Sequence, residues 1–432
     1  MAFFGGFGVE TITPKIPMPL AGFGPGYGYR VGRQVLDDLK IRAVYVSDGS
    51  AQLVLVSVDS LYVSRSFCTK LEQWLEETHS IPAANLFVAA THTHCAPSLL
   101  DREFAGVSIE AEYSQFVLKK AKLAIAQSID AKFEAELEYT KAPSQISINR
   151  RALRLDRISM RRLKIHRSMI NRPNPRGPVD ATVRAVWIRA RSASDTDIAL
   201  VSAGCHPSIL RGDTYSADFP GRIEFELRSR VNRPTDVVFV QGFSGNSRAR
   251  ILDSAPFAVW PMGRAYDWIF DRSRFRDNST VDDIKWVAGA IATAIANAPR
   301  SPCDNVRLDA KVTEVKLPLE SGDSDGAGND FVPFLIRTWA LSENMRVLGL
   351  EGEIFSEYGN WLEDGDTATG STTVPVSCVG GIAGYIPTAA TISEGGYEID
   401  RSRTIFDLPR RFSPTIERIV KNEIRAHLGH SS

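Results

Sequence analysis

The 432-residue chain contains no apolar run approaching the roughly 18 to 20 residues needed to cross a bilayer as a helix. It also carries no net charge. Lysine plus arginine and aspartate plus glutamate number 51 each, which removes the electrostatic argument for nucleic acid or a membrane surface as a partner. Cysteine is scarce: the five, at 68, 95, 205, 303 and 378, are odd in number and include no C-x-x-C pair, so no disulfide framework is expected. The start, Met1-Ala2-Phe3-Phe4-Gly5-Gly6, lacks the basic and long apolar stretches of a secretory leader. The expectation is a cytoplasmic protein without stable membrane association. Internal repeats, heptads and low-complexity tracts are missing, as is any linker that would cut the chain.

What is present is ordinary for a soluble globular protein, with 43% apolar and 24% charged residues. Ile41 to Val46 and Leu53 to Val58 read as strands joined by the turn Ser47-Asp48-Gly49-Ser50. Phe67, Leu71, Trp74 and Leu75 recur at helical spacing, as do Ile284, Val287, Ala288, Ile291 and Ile295. A strand pair is expected over 133–148, and a last helix from about Pro414 to His427. Together these predict one α/β domain over 1–432, with large mixed sheets flanked by helices.

Two stretches stand out in composition. Residues 150–177 collect Arg150, Arg151, Arg154, Arg157, Arg161, Arg162, Lys164 and Arg167, and read as a basic excursion with a proline-rich exit. Interleaved aromatics are lacking there, so a solvated loop pairing with acidic neighbours is favoured over a nucleic-acid surface. The segment 254–278 carries Phe257, Trp260, Tyr266, Trp268 and Phe270, a cluster expected to serve packing more than binding.

Chemistry concentrates where apolar strands end in polar residues. Leu86-Phe87-Val88-Ala89-Ala90 runs into Thr91-His92-Thr93-His94-Cys95. If the strand persisted, its two-residue alternation would put His92 and His94 on one face. Asp59, His206, Gln241 and Glu353 close other apolar strands. Layered α/β folds gather ligands at the carboxyl ends of strands, so these five endings predict one composite site. Histidine, histidine and carboxylate commonly hold a catalytic zinc, which suggests His92, His206 and Glu353. A histidine-activated thiol at Cys95 or Cys205 is a weaker alternative, because adjacent strand residues point to opposite faces.

Taken together, these residues resemble a family. Thr-His-Thr-His with a following small residue and proline looks like the motif of neutral, non-lysosomal ceramidases and their bacterial relatives. Gly6-Phe7-Gly8-Val9-Glu10-Thr11-Ile12-Thr13-Pro14, Ile148-Asn149-Arg150, Cys205-His206-Pro207, Gly352-Glu353-Ile354-Phe355, Gly384-Tyr385-Ile386-Pro387-Thr388 and Gly396-Tyr397-Glu398 resemble further family elements in the same order. The likeness runs from residue 6 to about 400. It implies that His92, His206, Glu353 and Tyr385 ligate Zn2+, that His94 faces the substrate, that Arg150 sits near the scissile group and that Tyr397 lines the pocket.

One departure bears on specificity. Where ceramidases have Gly-Asp-Val-Ser-Pro-Asn, this chain has Gly245-Asn246-Ser247-Arg248-Ala249-Arg250. In that register Arg248 replaces the serine and Asn246 the aspartate, and Asn246 is expected to contact the substrate with Tyr397. The chain also ends where ceramidases continue into a further, β-rich domain. The resulting expectation is a zinc-dependent hydrolase that cleaves an amide in a soluble small molecule, with Arg150 and Arg248 holding an anion. The alternatives are an ester or lactone hydrolase, a true N-acylsphingosine amidohydrolase, or a degenerate homologue that binds a ligand without turnover. Homo-oligomerisation stays open.

Overall fold

The structure, a computed structural model, describes residues 2–22, 30–101, 111–159, 164–253, 274–321 and 330–429, without the side chains of 155–159 and 164–167. The aromatics Phe257, Trp260, Tyr266, Trp268 and Phe270 lie outside the described residues.

The first part of the chain forms β1 (Phe3–Thr11), β2 (Lys40–Ser47), β3 (Gln52–Val58), helix α1 (Arg65–His79), β4 (Leu86–Ala90), helix α2 (Ala111–Asp130), β5 (Phe133–Pro143), β6 (Ser147–Ser159) and β7 (Lys164–Asn174). There follow β8 (Thr182–Ala190), β9 (Asp197–Ala203), α3 (Pro220–Arg228), β10 (Thr235–Gln241), β11 (Ser247–Ala249) and α4 (Val281–Asn297). The last part holds β12 (Asp309–Pro318), β13 (Phe331–Ala340), β14 (Met345–Leu350), β15 (Glu353–Ile354), α5 (Ser356–Thr369), β16 (Thr372–Val376), β17 (Tyr385–Ile386) and α6 (Ile416–Leu428).

The larger sheet runs β10-β9-β8-β5-β1-β2-β3-β4, with Ser301–Pro302 pairing on β5. Its end pairs, β3 with β4 and β9 with β10, are parallel, and the ladders between them are antiparallel. On paper β4 and β9 therefore run in opposite directions. Six steps of native twist, each about 20 to 25°, rotate one against the other by roughly 120–150° and bring their carboxyl ends to the same side. The curl closes far enough for Ser57 Oγ on β3 to donate to the Phe239 carbonyl on β10 at 2.6 Å.

Alternation along the strands buries both faces. Ile41, Ala43 and Tyr45 of β2 pack with Leu71 and Leu75 of α1 and with Ala121 and Ile125 of α2. Val44 and Val46 point the other way, toward Val347, Val374 and Val376 of the second sheet. That sheet, of order β12-β13-β14-β16, packs against this face. Past β16, Cys378 O accepts from Ala90 N at 3.2 Å and Ser377 N donates to Gln241 O at 2.7 Å. Both sheet edges are thus tied to one segment.

The turn at Ser47 to Ser50 forms as expected, with Asp48 Oδ1 accepting from the Ser50 and Ala51 amides at 2.8 Å. Two expectations change. Residues 133–148 are not a strand pair: β5 joins the large sheet, whereas β6 pairs with β7 and β11. The basic stretch forms the paired strands β6 and β7, not a loop, because cross-strand pairing, extended by β11, outweighs the turn-like composition at its exit. No helix among the described residues is long and apolar enough to cross a membrane.

The C-terminal helix provides a test of packing. His427 on α6 bridges the hydroxyls of Thr338 and Thr313, at 2.8 Å from each. Burial, then Lys311, push its pKa from 6.5 down to about 4. A lowered histidine pKa means that the unfolded chain takes up a proton the folded one refuses. This contribution to stability is intact above pH 6.5 and declines as pH falls toward 4. Chemical denaturation of the wild type and of H427Q between these values should show a shallower decline for the variant.

Candidate metal centre and its cavity

Strand β4 ends at Ala90, earlier than the strand-persistence reading required. His92 then adopts a left-handed backbone, φ 65°, an uncommon state for a residue without glycine's freedom. His92 and His94 nevertheless meet, through a turn rather than a shared strand face. His94 is seated from below by its own backbone, whose carbonyl accepts from Arg30 Nη2 at 2.7 Å. His206 arrives from the end of β9. Its Nε2 lies 3.1 Å from His92 Nε2 and 3.0 Å from His94 Nε2.

Glu353 and Tyr385 are brought in by a ladder that local sequence does not announce. β15 pairs in parallel with β17, with Glu353 directly opposite Tyr385, so the two side chains leave the same face. Gly352 and Gly384 precede them at φ 140° and 117°. A Cβ on Gly352 would stand 2.7 Å from the Gly384 carbonyl oxygen, so the close approach of these two strands requires glycine. Glu353 Oε2 is 3.5 Å from His92 Nε2 and 4.0 Å from His206 Nε2. Its other oxygen accepts from the Tyr62 hydroxyl.

The set has the character of a cation site. Among the described residues, buried His92, His94 and His206 form a group whose nitrogens can hold a metal. Glu353 Oε2 is buried and lacks a hydrogen-bond partner there, although it faces two imidazoles. His92 Nδ1 lies 3.0 Å from the Leu61 carbonyl, which fixes a proton on that nitrogen and makes Nε2 the one that can turn to a metal. Burial, then the charge of His92, push His94 and His206 well below the usual histidine range, and Arg150 and Arg248 add to the push. Burial alone would raise Glu353, but His92 and then Arg150 outweigh it and hold the carboxyl below its ordinary value. The array therefore calls for one buried positive charge between a carboxylate and neutral imidazoles, which a divalent cation supplies.

Arg150 forms the next layer. It is buried on β6, and its Nη2 donates to Tyr385 Oη at 3.0 Å and to the Gly245 carbonyl at 2.8 Å. Its Nε donates to Glu398 Oε1 at 2.9 Å, while Arg151 Nη1 donates to Glu398 Oε2 at 2.9 Å. One carboxylate, carried on the π-helical turn Tyr397–Arg401, thus aligns two consecutive arginines. On the hydrolase reading proposed below, E398Q should lower turnover about 10- to 100-fold by loosening Arg150. The double variant E398Q/R150M should be no slower than R150M alone, a non-additivity that a double-mutant cycle reads directly.

Above this layer opens a cavity of about 950 Å³. His94, His206, Arg150, Tyr385, Tyr397 and Arg248 line it, whereas His92 and Glu353 do not. Asn246 is also absent from the lining. It is fully buried, accepts from Ser356 N at 2.9 Å and donates to Glu357 at 2.7 Å, so it anchors the start of α5 instead of a substrate. Arg248 extends from β11, and its guanidinium lies 4.4 Å over the Phe275 ring.

Of the five strand endings, three converge. Asp59 is spent on Arg42 at 3.1 Å and on the Lys40 amide at 2.8 Å. Gln241 bonds the Cys205 carbonyl at 3.0 Å. All five cysteines are free thiols. Burial pushes the Cys95 thiol up to about 12 and Cys205 well above its ordinary value, which disfavours either as a nucleophile. Tyr62 and Glu398 received no role from sequence. A polar residue just past a strand end marked the first, and the Tyr397-Glu398 pair marked the second.

No family model and no curated protein matches the chain. Solved structures do. A neutral ceramidase from Pseudomonas aeruginosa superposes with a TM-score of 0.70 at 14% identity, over 97% of this chain and 72% of that one. A ceramidase complexed with C2 gives 0.70 and 14%, over 97% and 73%. The fold, a large mixed α/β architecture flanked by helices, is ceramidase-like.

Proposed function

We propose that the chain is a single catalytic domain that hydrolyses an amide bond in a small soluble molecule with the help of zinc. The observation that carries this reading is the convergence of His92, His206 and Glu353 beneath a cavity, with a buried carboxylate oxygen left unsatisfied toward both imidazoles. Tyr385, opposite Glu353 in the ladder, is the fourth candidate ligand. The cavity lining supports a division of labour within the Thr-His-Thr-His motif. His92 lies behind the wall with Glu353, and His94 is in the wall where a substrate would touch it.

Zinc would supply Lewis acidity, polarising the scissile carbonyl and activating the attacking water. His94, kept neutral by burial, would donate a hydrogen bond to the developing oxyanion or pass a proton to the departing amine. Arg150 would place a fixed positive charge beside Tyr385, both side chains being buried. Glu398 keeps that charge aimed.

The test is chelation followed by reconstitution, read on matched amides, esters and lactones and on N-acetylsphingosine. The expected result is loss of amide hydrolysis on chelation, recovery with Zn2+, and indifference to thiol alkylation. Full activity after metal removal would overturn the reading.

A further inference from the structure

The cavity wall is far more basic than the chain. The whole sequence balances 51 cationic against 51 anionic residues. Yet among the described residues the wall carries six arginines, Arg150, Arg154, Arg211, Arg248, Arg401 and Arg411, and two carboxylates, Glu394 and Asp400, with Glu398 behind it paired to Arg150. Both carboxylates are already engaged by arginine, Glu394 with Arg151 at 3.1 Å and Asp400 with Arg411 at 2.5 Å. Arg211 in turn meets Asp277 at 3.0 Å near the surface. Among the described residues the aliphatic lining is Met169, Ile170 and Ile405.

Arg248 has the geometry of an anion reader. Its guanidinium face is stacked on Phe275, which fixes the plane, and the in-plane N–H donors are the part that matches a carboxylate or phosphate. It projects from β11, which pairs with β6 so that Arg248 lies opposite Ile148, two residues before Arg150. The reader is thereby built onto the strand that carries Arg150, not onto a mobile loop.

Resting on the reading of this site as an amide hydrolase, we propose that its substrate is a small amide carrying an oxyanion, a carboxylate or a phosphate, held by Arg248 and the surrounding arginine wall. The anion sets the orientation, and the scissile carbonyl then lies toward His94 and His206. A neutral N-acylsphingosine lacks that handle.

The experiment compares neutral and charged isosteres on the metal-loaded protein: N-acetyl-alanine against N-acetyl-alaninamide, N-acetyl-ethanolamine phosphate against N-acetyl-ethanolamine, and N-acetylsphingosine as the lipid arm. The charged member of at least one pair should have a kcat/KM about 100-fold higher, and R248M should collapse that ratio toward unity. Which pair responds identifies carboxylate or phosphate. Equal or better turnover of the neutral members or of the lipid, or an R248M variant that preserves the ratio, overturns the proposal. Calorimetric titration with the same acids separates the two readings. Salt-sensitive binding that R248M abolishes, without cleavage, supports the anion site and sinks only the hydrolase reading. If no charged member either binds or is cleaved, the anion site is refuted.

Discussion

Alanine in place of His206 should strip the metal and the hydrolytic activity together. His206 is the side chain whose Nε2 approaches both other histidines, and it is the only one of the three that follows β9 and not β4. Partners that merely orient a ligand change metal affinity about 10- to 100-fold, so loss of a ligand should exceed that. Folding should survive. The large sheet is secured by its ladders and by ties such as Ser377 to Gln241, none of which passes through the imidazole. Thermal unfolding separates the effects. Chelated wild type and H206A should melt alike, whereas added metal should raise the wild-type midpoint only. Binding at 100 times Kd is worth about 2.7 kcal/mol of stability. An H206A protein that still gains stability from metal would contradict this role.

Arg150→Met should act differently, leaving metal bound while turnover falls about 100- to 1,000-fold, the range seen when one preorganised transition-state donor is removed. The structure explains why such a variant should still fold. Glu398 keeps Arg151 as a partner, so its buried carboxylate is not orphaned. What is lost is the donor to Tyr385 Oη and the Gly245 carbonyl. Lysine should restore little, because one ammonium cannot span Glu398, Tyr385 and Gly245 in the fork geometry of guanidinium. Metal content by mass spectrometry and kcat against KM decide the case. Unchanged metal with lowered kcat supports the assignment; parallel loss of metal would make Arg150 structural.

The central sheet and half of the site were legible in sequence for a physical reason. The near-continuous apolar, β-branched runs Ile41 to Val46 and Leu53 to Val58, split by a turn, are a local signal, and so is a histidine or glutamate that ends an apolar run. His92, His206 and Glu353 are each announced this way. Tyr385 is not, because its position is set by a two-residue ladder with Glu353 whose only local trace is the pair of preceding glycines. Resemblance supplied it instead. Glu398 and Tyr62 act through contacts more than 240 residues apart in sequence, at separations of 248 and 291. Asn246 misled because aligned position suggested a substrate contact, whereas burial beside Ser356 and Glu357 gives it a backbone to hold. The arginines at 150 and 151 read as solvated for a similar reason. Composition counts charge, but it does not show that Glu398 is buried with both.

The most direct test is the location of zinc by anomalous diffraction from crystals of the metal-loaded protein. The account predicts one peak enclosed by His92 Nε2, His206 Nε2, Glu353 and Tyr385 Oη, at about 2.0 to 2.2 Å from nitrogen and oxygen ligands, with His94 outside coordination distance and facing the cavity. A peak bound by His94 in place of Glu353, or one that lies away from this cluster, would contradict it.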